Sequence, residues 1–405
     1  MKYLLSFILL LSQHLQAQDT TTLRIDVAQA KPMNVSEVFD SIHYIKLKFP
    51  EGCKHQNILG RISVTKNYFL TFDGGVEKAI FIFDKKGNFI NKIDHLPKKT
   101  MDEKDIFSLA AYVIDFDSDL IYFGYKDTEN KKRRFYISCI DVYGKEMYKK
   151  TVFENPPLDQ YFIQKLDEET FLLNSSFDAK ELTDLPTHPV FQILNLKNGI
   201  TKSFLNISGD SSYKFYNRYI SVAGHKETYW SKSYNYQAVK FNGKGNPSVL
   251  KFIFPAQVCM PHVLPLTDDL IKNYQTADDF AQKNKTIISE INSIFSLRQW
   301  VLFRVEGYSS KGHSTNFMYS QKTGAIVDLK QVKPDKLSKG VPFMSYGIIG
   351  VDDQYVYTSM PSIVLNQNAT PQSNFVSPNA TSVTIGAPSN DNGVYLLQLK
   401  IKSAF

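Results

Sequence analysis

Three groups of residues in this chain have types and spacings suited to chemistry. Cys259-Met260-Pro261-His262 sets two metal-ligand types three positions apart. A closed zinc site needs a second such pair, and none lies nearby. Asp115, Asp117 and Asp119 form D-x-D-x-D, the opening of a calcium loop. Leu120 stands where that loop's glycine belongs and no glutamate closes it, so these acids read as turn and strand-end residues. The third group is cationic: Lys131, Lys132, Arg133 and Arg134, then His188, then Glu306, Lys311 and His313. Arginine binds carboxylate or phosphate through two parallel hydrogen bonds, so Arg133, Arg134, His188 and His313 would form an anion-binding mouth if the fold gathered them. No H-E-x-x-H, G-x-S-x-G, phosphate-binding P-loop or dinucleotide fingerprint occurs. No metal site, catalytic residue or cofactor is therefore assigned, and the cofactor stays unknown.

Whether loops so far apart in sequence can meet depends on the elements that carry them. The stretch AIFIFDKKGNFINKI (79–93) alternates apolar residues, breaks at a polar turn with Gly87, and alternates again. Ala79, Phe81 and Phe83 fall on one face and Ile80 and Ile82 on the other, the pattern of a β-hairpin. The pattern recurs at 133–153, 190–207, 236–254 and 316–332, with Gly144, Gly199, Gly245 and Gly324 in the turns. From Gly87 onward these glycines stand 57, 55, 46 and 79 residues apart. Ahead of each hairpin lie two further apolar strands, such as ILGRISVT (58–65) and NYFLTFD (67–73) before the first. The unit is thus four strands. A sixth unit, from SYGIIGV (345–351) to GVYLLQLKI (393–401), lacks its fourth strand, while DSIHYIKLKF (40–49) alternates with no unit of its own. Pairing the two closes a ring, and four-stranded units repeated in a ring describe an all-β, six-bladed β-propeller. A chain of this length buries a large core without cross-links, consistent with only three cysteines, Cys53, Cys139 and Cys259.

Two segments depart from the repeat. TDDLIKNYQTADDFAQKNKTIISEI (267–291) has helical spacing from Leu270 to Ala277 and again at Ile287, Ile288 and Ile291, which predicts a helical insertion between blades four and five. Thr267 is placed to cap it, and Thr276 with Asp279 repeats the signal. The stretch 361–392 is rich in Ser, Thr, Asn and Pro and nearly free of charge, which predicts a long flexible loop within blade six.

The first residues, MKYLLSFILLLSQHLQAQDT, combine Lys2, an apolar run from Leu4 to Leu11 and the small residue Ala17. This is the pattern of a secretory signal spanning 1–17, with a single domain over 18–405. No cysteine follows the run, so export without a lipid to the periplasm or beyond is expected, and no later apolar stretch is long enough to span a membrane. The net charge of +7 falls to +6 once Lys2 is removed, too diffuse for a nucleic-acid-binding stripe.

DSIHYIKLKF, the GRI strand, FLTFD, IFIFDKKGNFINKI and the closing NGVYLLQLKIK together resemble the exported six-bladed propellers common in Bacteroidetes, of the NHL and TolB-like type. The resemblance covers most of the chain and is strongest in blade one. Where many members carry a glycine-rich G-x-G-P-G-E-Y run, this chain has DHLPKKTMDEKD (94–105). The resemblance implies fold and address and no reaction. The function expected is a non-catalytic module that binds or scaffolds a small molecule, glycan or protein. The alternative is a metal-dependent hydrolase or lyase with its site in the channel, which requires several Asp, Glu, Asn or His side chains converging there.

Overall fold

The computed structural model describes residues 20–53, 61–73, 77, 79–94, 112–127, 134–154, 159–176, 188–207, 218–223, 227–261, 270–307, 315–341, 347–361, 374–375, 383–384 and 394–403. Six antiparallel sheets of four strands each follow one another along the chain. Blade one comprises Ile62–Val64, Tyr68–Asp73, Ala79–Asp84 and Phe89–Ile93. Blade two comprises Tyr112–Ile114, Ile121–Asp127, Arg134–Ile140 and Glu146–Glu154. Blade three comprises Asp159–Lys165, Thr170–Ser176, His188–Asn195 and Gly199–Ile207. Blade four comprises Arg218–Ala223, Glu227–Lys232, Gln237–Asn242 and Pro247–Ile253. Blade five comprises Glu290–Leu297, Trp300–Glu306, Thr315–Ser320 and Ile326–Asp328. Blade six takes Gly350–Val351, Val356–Pro361 and Val394–Ile401 from the end of the chain and its outer strand, Phe39–Leu47, from the beginning. The chain is a six-bladed β-propeller of four-stranded blades.

The two faces of the opening hairpin explain why the blades stack. Ala79, Phe81 and Phe83 pack with Tyr357, Val394 and Leu396 of blade six, while Ile80 and Ile82 pack with Ile114, Ile121 and Ile140 of blade two. A strand apolar on both faces is thus buried between two neighbouring sheets, and all of Ala79–Phe83 is at most 2 % exposed. The same logic joins blades two and three through Tyr122, Ile137 and Cys139 against Phe171 and Leu173, and blades three and four through Leu172 and Phe191 against Trp230 and Phe241. Closure covers the apolar sheet faces that the end blades of an open stack would expose, while each blade keeps its own edge strands. No disulfide joins Cys53, Cys139 and Cys259.

The hairpins share one turn device. An Asp or Asn at or just after the end of the third strand accepts backbone N–H groups of the turn: Asp84 Oδ1 from Lys86 and Asn88, Asp141 Oδ1 from Tyr143 and Lys145, Asn242 Oδ1 from Lys244 and Asn246. The glycine that follows adopts positive φ, +81° at Gly87 and +74° at Gly245. At Gly87 closeness adds to the requirement. A Cβ there would lie 2.2 Å from the Lys46 carbonyl oxygen of the closing strand, and Lys48 N–H donates to the Gly87 carbonyl at 2.9 Å.

The segment before the closing strand straps the ring from outside. Thr20–Arg24 adds a fifth, parallel strand to blade four, Met33–Asn34 pairs with Val332–Lys333 beside blade five, and Phe39–Leu47 completes blade six. The helix between blades four and five is described over Leu270–Lys283 and ends short of 291, while Thr267, its expected cap, lies outside the described residues. Thr276 is inside it, its hydroxyl donating to the Lys272 carbonyl, and starts no second helix. Ile287 and Ile288 follow the helix in a buried connection, and Ile291 lies in the first strand of blade five, so their spacing reflects burial and not helical periodicity. Ala277 packs against Tyr234 and Met260 at blade four. Of the stretch 361–392, Pro361 and the paired Asn374–Phe375 and Val383–Thr384 are described, and the rest lies outside the described residues.

Candidate functional site

In a four-stranded antiparallel blade, the turn between first and second strands and the hairpin between third and fourth share one face of the ring. The loops between second and third strands share the other. The proposed anion mouth belongs to the second face. Arg133 and His313 lie outside the described residues. Arg134 and His188 each begin the third strand of their blades, with Arg134 opposite Asp127 and Glu154 and His188 opposite Ile207. The topology sets these two strand starts at the same end of adjacent blades. Glu306, assigned to the same loops, ends its strand in an ion pair with Arg304 at 2.6 Å.

A cavity of about 1120 Å³ lies elsewhere, along the inner strands of blades one to three. It runs from Arg61, Ser63 and Tyr112 near the strand starts to the turns of blades two and three, where the blade-four hairpin also contributes. Asp117, Glu168 and Lys244 are exposed at the turn end, and their side chains make no hydrogen bond to another described residue.

The wall between blades two and three is built around Asp115 and Lys165. Asp115 follows the blade-two inner strand and Lys165 ends that of blade three, so both stand at the channel edge of their sheets. Their side chains are about 15 % exposed and meet at 2.5 Å. The Asp115 carboxylate also accepts the Asp117 N–H at 3.1 Å and the Ser118 hydroxyl at 2.6 Å. Burial alone would raise its pKa; the hydrogen bonds from Lys165 and Ser118 outweigh that and hold it below the ordinary carboxylate value. The Lys165 ammonium also lies 5.3 Å from the centre of the Tyr122 ring. Next to it, Gln164 is 2 % exposed and its side-chain oxygen accepts the Thr228 hydroxyl at 2.7 Å, tying blade three to blade four.

Tyrosines complete the wall. Tyr148 on the outer strand of blade two is 36 % exposed, with its ring 6.3 Å from that of Tyr122. Burial pushes its hydroxyl up to about 12 and the Cys139 thiol behind it up to about 11, so both keep their protons near neutrality. The D-x-D-x-D acids do not converge. Asp115 faces Lys165, while Asp119, at φ +58°, accepts from the Asn67 side chain at 2.6 Å on blade one. Among the described residues, no three His, Cys, Asp or Glu side chains stand close enough to share a metal ion. What the wall offers is hydrogen bonding of several kinds: donors only at Lys165, acceptors only at the carboxylates, and both at tyrosine and serine hydroxyls.

Sequence reasoning noted Asp115 and Asp117 as turn acids but gave no role to Lys165, Gln164, Tyr112 or Tyr148. A signal was present. A polar pair, Gln164-Lys165, ends an inner strand, where a residue facing a packed core would be apolar.

Fold and cavity together describe a six-bladed propeller with a cavity along the inner strands of blades one to three, in which Tyr112, Tyr122 and Tyr148 stand among polar and apolar groups. Residues 12–122 match the model of a family described as a 6-bladed beta-propeller, DUF5128, a span that includes the closing strand and all of blade one. No curated protein matches the sequence. Among solved structures, a Bacteroides fragilis protein described as exported is similar over 95 % of this chain and 100 % of its own, with TM-score 0.62 and 17 % identity. A DUF4221 member from Bacteroides vulgatus is similar over 90 % of this chain and 98 % of its own, with TM-score 0.44 and 11 % identity. TolB from Acinetobacter baumannii is similar over 86 % of this chain and 65 % of its own, with TM-score 0.35 and 13 % identity. At these identities the first likeness bears on fold alone.

Proposed function

We propose that this protein is an exported, non-catalytic binding propeller that takes its ligand in the cavity between the inner strands of blades one to three and the blade-four hairpin. The observation that carries the reading is the cavity itself. At about 1120 Å³ it has the dimensions of a ligand site, and it pairs a fixed polar group, Asp115–Lys165, with partly exposed tyrosine and unengaged polar groups at its turn end. Export is supported by the leader sequence and by the likeness to the exported Bacteroides fragilis protein. Among the described residues no helix is long and apolar enough to cross a membrane.

The test is affinity selection from glycan and peptide libraries on the purified mature protein, repeated on Asp117→Trp. Asp117 is exposed and its side chain engages no described neighbour, so tryptophan there obstructs the cavity mouth without removing a core contact. The reading expects selected ligands to lose binding to Asp117→Trp while its melting temperature stays that of the parent. Ligands that bind parent and variant equally would overturn it.

A further inference from the structure

Resting on that reading, we infer that the cavity receives an uncharged, polyhydroxylated ligand: a segment of a neutral oligosaccharide. The argument begins with the pair on the wall. A carboxylate can only accept hydrogen bonds and an ammonium can only donate them. Asp115 and Lys165 already satisfy each other at 2.5 Å in a setting where both side chains are about 15 % exposed. An anionic ligand bonded to Lys165 would stand against the Asp115 carboxylate, and a cationic ligand bonded to Asp115 would stand against the Lys165 ammonium. Either sets like charges close together in a partly buried place, which a neutral ligand avoids. A hydroxyl group both donates and accepts, so one hydroxyl can bond Asp115 and Lys165 together without parting them. Lys165 carries three N–H groups, which leaves donors beyond the one directed at Asp115.

The remaining wall agrees. Although the whole chain carries +7, the cavity sets three cations, Arg61, Lys165 and Lys244, among four carboxylates, Asp115, Asp117, Asp167 and Glu168. The field that would draw a polyanion is absent from this lining, and the two signs are interspersed along the same turns. Ser63 and Tyr112 add hydroxyl groups to the lining. Tyr148, 36 % exposed, presents a rigid ring on which the apolar C–H face of a sugar can rest, whereas the Tyr122 ring is already met by Lys165 and by Phe171. The volume exceeds what a single sugar ring fills, hence an oligosaccharide segment.

Isothermal titration calorimetry on the full mature protein tests this with three kinds of probe: neutral gluco-, xylo- and manno-hexaoses, oligogalacturonic acid, and octalysine. At least one neutral hexaose should bind, with affinity unchanged within about twofold between low and high salt, because no ion pair is formed. Tyr148→Ala should weaken that binding roughly tenfold, a loss of about 1.4 kcal/mol, and Tyr148→Phe should retain most of it. Lys165→Met should weaken it as well, with circular dichroism and melting temperature reporting whether the fold is kept. Should that variant fail to fold, the Tyr148 pair decides. Binding of a charged probe alone, falling steeply with salt, would overturn the inference. So would selection of a peptide by the cavity with no hexaose bound, an outcome that leaves the binding reading standing. If no probe or library member is sensitive to Asp117→Trp, both fail.

Discussion

Ring closure can be tested by two substitutions that differ only in what lies beside them. Gly87 and Gly144 occupy equivalent hairpin turns, at φ +81° and +82°. Alanine at either carries the penalty of left-handed backbone, about 1 kcal/mol. At Gly144 nothing lies within 4 Å of the new Cβ, so that penalty is the whole effect. At Gly87 the Cβ would stand 2.2 Å from the Lys46 carbonyl oxygen and 3.0 Å from Ile45 Cγ2, both on the strand that closes blade six. The hairpin must retreat, losing the Lys48 N–H to Gly87 carbonyl bond, about 1 kcal/mol, and adding overpacking strain of about 1–3 kcal/mol. Gly87→Ala should therefore cost about 3–5 kcal/mol against about 1 for Gly144→Ala. Scaling the usual unfolding entropy per residue to a chain of this size gives roughly 1 °C per kcal/mol. Calorimetry should then show a drop of about 4–6 °C for Gly87→Ala and about 1 °C for Gly144→Ala. Hydrogen exchange should quicken at Lys46 and Lys48 in the first variant only. Melting temperatures within a degree of each other would refute the seating of this hairpin on the closing strand.

Other outcomes follow from the same contacts. Because the folded-state pKa of Asp115 is depressed, its ion pair contributes stability above the unfolded carboxylate pKa of about 3.9, and the contribution disappears as pH falls through the lower folded value. Asp115→Asn should thus be less stable than the parent by about 1–3 kcal/mol at pH 7, the cost of leaving a partly buried partner unsatisfied, and urea titrations should show the gap narrowing below about pH 4; a gap independent of pH would contradict the pair's role. Cys139, wholly buried between blades two and three with its thiol raised to about 11, should resist iodoacetamide at pH 8 until the protein unfolds, as peptide mass spectrometry would report. Labelling of Cys139 in the native protein would place that interface wrongly. Intact mass of the protein recovered from its producing cell should correspond to a chain beginning at Gln18, and a mass that still includes Met1 would contradict the leader.

The architecture was legible because it rests on local chemistry repeated along the chain, in five hairpins. Asp84, Asp141 and Asn242 each stand three residues before a turn glycine, and Phe81 against Ile82 shows the two-faced strand that only stacked sheets can bury. The unpartnered alternation at 40–49 and the missing fourth strand of the last unit together specified the closure seen between Phe39–Leu47 and Val394–Ile401. The helix was drawn too long because Ile287, Ile288 and Ile291 are apolar for the packing of a connection and a strand, and spacing cannot separate those causes. The cavity escaped notice for a different reason. Arg61, Tyr112, Lys165 and Lys244 lie up to 183 positions apart, and a charged residue in a turn looks solvated until the ring sets it beside its counterpart in the next blade. Arg133, Arg134, His188 and His313 were grouped by loop class, which fixes a face of the ring and leaves distance open.

Hydrogen exchange with and without a ligand taken from the library selection tests the central claim most directly, because it reads both faces of the ring at once. Binding in the cavity predicts added protection in peptides covering 115–120, 164–168 and 242–246, with none in those covering Arg133–Arg134 and His188. Protection confined to the latter, with the inner-strand turns unchanged, would contradict the account and return the site to the opposite face.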